Sequence, residues 1–74
     1  MHVHNDTNAI RIALNGDWQQ WPQGSSVADV VLSEAGDVPV AVALNQQVLP
    51  KRLWSSTALQ QHDQLMIFQL VAGG

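Results

Sequence analysis

The chain has 74 residues, a hydrophobic fraction of 46%, no cysteine and a formal net charge of −3. That is one small domain, too apolar for a disordered chain and too poor in lysine and arginine for a nucleic-acid face. The missing thiol excludes disulfides and thiolate metal sites, so apolar packing alone must hold the fold; any sulfur or acyl chemistry must use something other than a cysteine side chain.

Residues 1–8, MHVHNDTN, are polar and turn-rich and read as a flexible N-terminal extension. His2 and His4 would share one face of a strand, but without a nearby acid or thiol cluster they do not make a metal site. These residues hold no signal-peptide core, and no apolar run approaches the roughly 20 residues of a membrane span. The expectation is a cytoplasmic protein that works without a membrane or a metal.

Residues 9–70 read as the folded domain. AIRIAL at residues 9–14 alternates, with Ile10, Ile12 and Leu14 on one side and Arg11 and Ala13 on the other. This is a half-buried strand. Asn15-Gly16 is the strongest short hairpin signal, because both residues accept positive φ. A second strand follows from Asp17 to Trp21 and ends at Pro22, which has no N–H to give a sheet.

GSSVADVVLSEAG predicts a helix with both ends marked. Ser26 caps it, Asp29 completes a variant of the capping box, and Gly36 fits a left-handed C-terminal cap. Val27, Val30, Val31 and Ala35 form the apolar stripe. Glu34 falls on the same stripe and is placed at the rim near the helix end.

Val40, Val42 and Leu44 then share one strand face, with Ala41 and Ala43 on the other. Asn45-Gln46 turns the chain into a short return strand. KRLWSSTAL has no clear period; Leu53, Trp54 and Leu59 tuck it onto the core. Asp63 completes a turn into the last strand, residues 64–70. Leu65 and Ile67 face one side of it, while Met66, Phe68 and Leu70 face the other. Trp18, Trp21 and Trp54 read as packing or loop anchors, Lys51 and Arg52 as a solvated loop, and no serine shows a nucleophile's partners.

The order β-β-α-β-β-β predicts an α+β domain of the β-grasp, or ubiquitin-like, plan: a mixed sheet of about five strands packed on one helix. One helix covers one sheet face. Met66, Phe68 and Leu70 therefore form an apolar row on the open face, a candidate partner-docking surface.

Residues 71–74 form a flexible tail ending in Gly-Gly. Gly73 and Gly74 lack a Cβ, so they can thread a narrow tunnel. A carboxylate is a poor electrophile, but ATP can activate it as an acyl-adenylate. The unhindered Gly74 carbonyl then accepts sulfur, giving a thiocarboxylate, or a lysine amine, giving an isopeptide bond.

Three stretches carry a resemblance: the early LNG, VAVALNQQVLPKRLW at residues 40–54, and HDQLMIFQLVAGG at residues 62–74. Through them the chain resembles the sulfur carrier family of thiamine biosynthesis, the ThiS family, over nearly its whole length. The middle stretch is the most specific. His62-Asp63 stands where the family commonly has Gly-Asp, and the extension before Ala9 is unusual for it.

The resemblance implies a protein cosubstrate rather than an enzyme, with no permanently bound cofactor. A ThiF-like adenylyltransferase uses ATP and magnesium to activate Gly74. A cysteine desulfurase system supplies sulfur indirectly, and a ThiG-like thiazole synthase consumes it. Gly74 carries the sulfur, Gly73 gives clearance, and Val71 and Ala72 line the entry path. A carrier that visits two enzymes in turn is expected to be a monomer when free. Three alternatives remain open: a molybdopterin synthase small subunit, a ubiquitin-type protein modifier, and a β-grasp binding module whose Gly-Gly is incidental.

Overall fold

A computed structural model describes residues 8–70. The expectations placed on residues 1–7 and on Val71, Ala72, Gly73 and Gly74 lie outside the described residues.

Two tight turns set the sheet's register. Strand β1 (Ala9–Leu14) and strand β2 (Asp17–Pro22) pair antiparallel, from Leu14 opposite Asp17 to Ala9 opposite Pro22. Asn15 and Gly16 join them with φ of 49° and 92°, the positive values that a two-residue hairpin requires. Strand β3 (Val40–Leu44) returns as the two-residue strand β4 (Gln47–Val48) in the same way, with Asn45 and Gln46 at φ of 50° and 71°. Pro22 ends an edge strand, where its missing N–H leaves no gap in a ladder.

Helix α1 (Val27–Ala35) begins with the capping box expected from the sequence. The Ser26 hydroxyl accepts from the Asp29 N–H at 3.1 Å, and the Asp29 carboxylate accepts from the Ser26 N–H at 2.9 Å. Two otherwise orphaned donors are thereby satisfied. The other end differs from expectation. Gly36 has φ 61° but ψ −125°, outside the left-handed helical region, while its N–H still donates to the Leu32 carbonyl. Glycine tolerates that conformation because it has no Cβ to clash.

The stretch without a sequence period folds as a 3-10 turn at Lys51–Leu53, led by Pro50 with φ −59°. It delivers Trp54 into the core, where the indole N–H donates to the Leu49 carbonyl at 2.9 Å. Leu59 is buried beside it, while Leu53 is half-buried. Strand β5 (Gln64–Gln69) stops one residue short of the expected Leu70. The Leu70 N–H still donates to the Pro39 carbonyl at 3.0 Å.

The strand order is β2-β1-β5-β3-β4. β5 lies at the centre, parallel to β1 at Ala13–Gln64 and Leu14–Leu65, and antiparallel to β3 from Val40–Gln69 to Leu44–Leu65. This mixed five-stranded sheet with one helix is the β-grasp architecture. Val27, Val30 and Val31 of α1 pack on Ile10, Ile12, Leu14, Val42 and Leu65 of the sheet, and Trp54 and Leu59 complete the cluster. Full burial of each such side chain contributes about 1.5–3 kcal/mol. Glu34 is exposed, as expected for the rim, while Ala35, expected on the apolar stripe, is only half-buried at the end of the helix. Ser25, the buried polar residue of the described chain, donates its hydroxyl to the Pro22 carbonyl at 2.7 Å.

Candidate functional site

Alternation along β5 separates its side chains cleanly. Leu65 is fully buried under the helix, while Met66 and Phe68 on the opposite face are 42% and 49% exposed. Phe68 lies opposite Ala41, and Met66 opposite Ala43. These small β3 neighbours leave both large side chains standing clear of the sheet. Leu70, 55% exposed, lies past the strand's end. It lines a groove of about 560 Å³ beside the helix, with Leu32, Val38, Lys51 and Trp54. The three residues expected as one docking row thus reach two adjoining surfaces.

The same register brings two further apolar residues to the open face. Trp18 lies opposite Ala13, and Val48 opposite Ala43; they are 50% and 80% exposed. The sequence reading treated Trp18 as an anchor, and the structure corrects this. Trp54 is the buried anchor, and Trp21 is half-buried with its indole N–H donating to Gln19 Oε1 at 3.0 Å. Trp18 stands at the margin of the open face, with the Arg11 guanidinium 5.3 Å over its ring and the His62 ring 6.0 Å away, edge-on. The signal that could have found both residues was the two-residue turn. It fixes which residues share a face once the hairpin is assigned.

β5 is held from both sides by the asparagines of those turns. On the β1 side, Asn15 Oδ1 accepts from the Ile67 N–H at 2.8 Å, and Asn15 Nδ2 donates to the Ile67 carbonyl at 3.4 Å. The side-chain amide acts as one more residue of β1 after the chain itself has turned away. On the β3 side, Asn45 Oδ1 accepts from the Gln64 N–H at 2.9 Å, while Asn45 Nδ2 donates to Asp63 Oδ1 at 2.9 Å. Asp63 Oδ2 also accepts from the Gln60 N–H at 2.8 Å. It completes the turn as expected and ties that turn to Asn45. The strand that leads to residues 71–74 is thus fixed in position and direction.

Hydroxyl groups near these elements serve the backbone. Ser26 caps α1, and Ser56 and Thr57 donate to the Leu53 carbonyl. Lys51 and Arg52 are exposed on the 3-10 turn. Among the described residues, no group of three or more His, Cys, Asp or Glu side chains is placed to hold a metal ion. Among them too, no helix is long and apolar enough to cross a membrane.

The family model of ThiS matches residues 8–74. The chain belongs to the ThiS family. It is 30% identical over 66 residues to the sulfur carrier protein ThiS of Escherichia coli strain K12, an alignment that covers 88% of this chain and 100% of that protein. The crystal structure of the thiamine biosynthesis protein ThiS from Geobacter metallireducens has the same fold, with a TM-score of 0.74 at 22% identity. That match covers 88% of this chain and 100% of the other. The ThiS match runs through β5 and on to Gly74, so the family pattern includes both the fixed strand and the Gly-Gly that follows it.

Proposed function

We propose that this ThiS family member is a sulfur carrier for thiazole formation in thiamine biosynthesis, with the Gly74 carboxylate as its working group. A partner adenylyltransferase uses ATP and magnesium. The carboxylate attacks the α-phosphorus, pyrophosphate leaves, and an acyl-adenylate forms on Gly74. Sulfur from a cysteine desulfurase system arrives as a persulfide; with a thiol as the two-electron reductant it is transferred at the sulfide level, displaces AMP and leaves a thiocarboxylate. Thiazole synthase takes the sulfur, and the carrier returns as its carboxylate. The chain is a cosubstrate in this cycle, not an enzyme, and ATP and magnesium belong to the partner.

The observation that carries the reading is the junction between β5 and the tail. A central strand, clamped by Asn15 and Asn45, leads through Leu70 into the four residues that end in Gly-Gly. Four extended residues reach at most about 14 Å, at about 3.3–3.6 Å each. A partner must therefore bring its active site close to the domain, and Met66, Phe68 and Leu70 offer it apolar surface beside the exit. The name of the Escherichia coli relative supports the same chemistry. Gly73 supplies clearance, and Val71 and Ala72 line the path in the partner. A cytoplasmic monomer suits a carrier that moves between two enzymes.

The test is the intact mass of the chain before and after incubation with ATP, magnesium, a sulfide source and the adenylating enzyme, followed by fragmentation. Exchange of one oxygen for sulfur on Gly74 is the expected result. Conjugation to lysines of other proteins would instead favour a ubiquitin-type modifier. Transfer of the sulfur to a pterin rather than a thiazole would identify a molybdopterin synthase subunit. A variant with one residue added after Gly74 separates the carrier from a plain binding module: the carrier loses sulfur loading, while the module is unaffected.

A further inference from the structure

The parallel pairing of β1 with β5 ends early. It covers Ala13–Gln64 and Leu14–Leu65, and the Asn15 side chain extends it to Ile67. β3 continues beside β5 as far as Gln69. The hydrogen-bonded pairs of that ladder are fixed by Asn45 donating to Gln64 and Leu70 donating to Pro39. Bonded and non-bonded pairs alternate in an antiparallel ladder. The N–H and C=O of Gln69 therefore point away from β3, toward the side that β1 has vacated. Among the described residues no backbone partner meets them there. The last residue of β5 presents an open strand edge.

A cavity of about 240 Å³ opens beside that edge, on the helix face of the sheet. Ala35, Val38, Val40 and Ile67 give it apolar walls, with Asn15 and Gln69 at the sheet side. Glu34 is the charged member of the lining. It occupies the last turn of α1, which carries no basic residue. An acid there meets the negative end of the helix dipole, an unfavourable placement for the free domain. The carboxylate and the helix end together give this mixed cavity a negative rim.

We infer that this edge is a strand-addition site for the partner enzyme, and that the incoming segment carries an arginine or lysine flanked by apolar residues. The inference rests on the sulfur-carrier reading and specifies how the partner engages it. A residue paired across from Gln69 shares the helix face with it, so its side chain enters the cavity toward Glu34. The residues before and after it turn to the open face, beside Phe68. One short strand thus joins the acidic cavity, the apolar face and the root of the tail. Main-chain bonds at Gln69 supply binding, and the side chains supply selectivity.

The test uses the full chain and the adenylating enzyme, with three measurements. Hydrogen exchange of the Gln69 amide is followed free and in the complex. Affinities are measured for Gln69→Pro, which removes an N–H that β3 does not use, and for Glu34→Gln and Glu34→Lys. The expected results are protection of the Gln69 amide on binding, roughly tenfold weaker binding for Gln69→Pro, and a smaller loss for Glu34→Gln than for Glu34→Lys. Glu34 is exposed, so its variants keep the fold and test the acidic rim even if the proline disturbs β5. A Gln69 amide that exchanges equally fast in the complex overturns the strand-addition site. Equal affinity of both Glu34 variants and the parent chain overturns the basic partner residue. If the parent chain gains sulfur while these results fail, the inference alone is lost. If the parent chain gains no sulfur, the carrier reading fails and takes the inference with it.

Discussion

Replacing Asn15 separates two contributions that the structure superimposes at one residue. Its side chain brackets Ile67, and its backbone has φ 49°. Asn15→Gly keeps the turn, because glycine accepts positive φ, but removes the amide. The 2.8 Å bond from the Ile67 N–H is the substantial one, while the 3.4 Å bond to its carbonyl is long and contributes little. Both face solvent, so the lost bonding is at the low end of about 0.5–1.5 kcal/mol. The added backbone freedom of glycine costs roughly another 0.5 kcal/mol. Asn15→Ala loses the same bonding and forces a Cβ into the left-handed region, an added cost of about 1–2 kcal/mol. The expected losses are about 1 kcal/mol for glycine and about 2 kcal/mol for alanine. A domain of this length has a total stability of about 4–11 kcal/mol. With a urea dependence of about 1 kcal/mol per molar, the unfolding midpoint falls by roughly 1 M and 2 M. The Ile67 amide should also exchange roughly fivefold faster in the glycine variant and roughly thirtyfold faster in the alanine variant, the factors that about 1 and about 2 kcal/mol represent. Unchanged exchange at Ile67 in both would refute the bracket. A glycine variant as unstable as the alanine variant would refute the strain.

Leu65→Ala, at a fully buried position of the central strand, is expected to cost about 2–5 kcal/mol in urea unfolding, a large part of the total. Ser26→Ala breaks the capping box and should cost about 1 kcal/mol by the same assay. Phe68→Asp changes an exposed side chain opposite Ala41, so stability should stay within about 0.5 kcal/mol of the parent. Affinity for the adenylating enzyme, measured calorimetrically, should fall by roughly tenfold or more for that variant. Normal binding would remove Phe68 from the docking surface.

The parts of the fold legible in the sequence are those encoded within a few residues. Asn15-Gly16 and Asn45-Gln46 announce their turns because positive φ is a local requirement. Ser26 and Asp29 announce the helix because a capping box spans one turn. The buried side of β5 followed from alternation, and the exposed positions of Met66 and Phe68 followed with it. The open-face positions of Trp18 and Val48 were not legible, because their face depends on carrying the register through a turn, not on the strand's own pattern. The 3-10 turn at Lys51–Leu53 has no period to display, since its fold is set by Trp54 entering the core and bonding Leu49. The pairing of Ala13 with Gln64 depends on global packing, which no local window contains. For the same reason the open edge at Gln69 and the cavity beside Glu34 became visible with the fold. Glu34 did leave a trace in the sequence, as the charged residue on an otherwise apolar helical stripe.

The central place of β5 has a consequence for biosynthesis. The ribosome makes β1, β2, α1, β3 and β4 first, yet none of them can close the sheet. β1 and β3 meet only through the strand that follows them all. The nascent chain must hold its apolar strands apart until Gln69 has emerged, and such long-range closure is slow. Translation that stops before β5 leaves two hairpins and a helix with no common core. Such a fragment exposes the apolar faces and strand edges of β1 and β3 that β5 would join, the kind of surface that is prone to aggregate. The two halves of the sheet are therefore joined last, by the same strand that leads to residues 71–74.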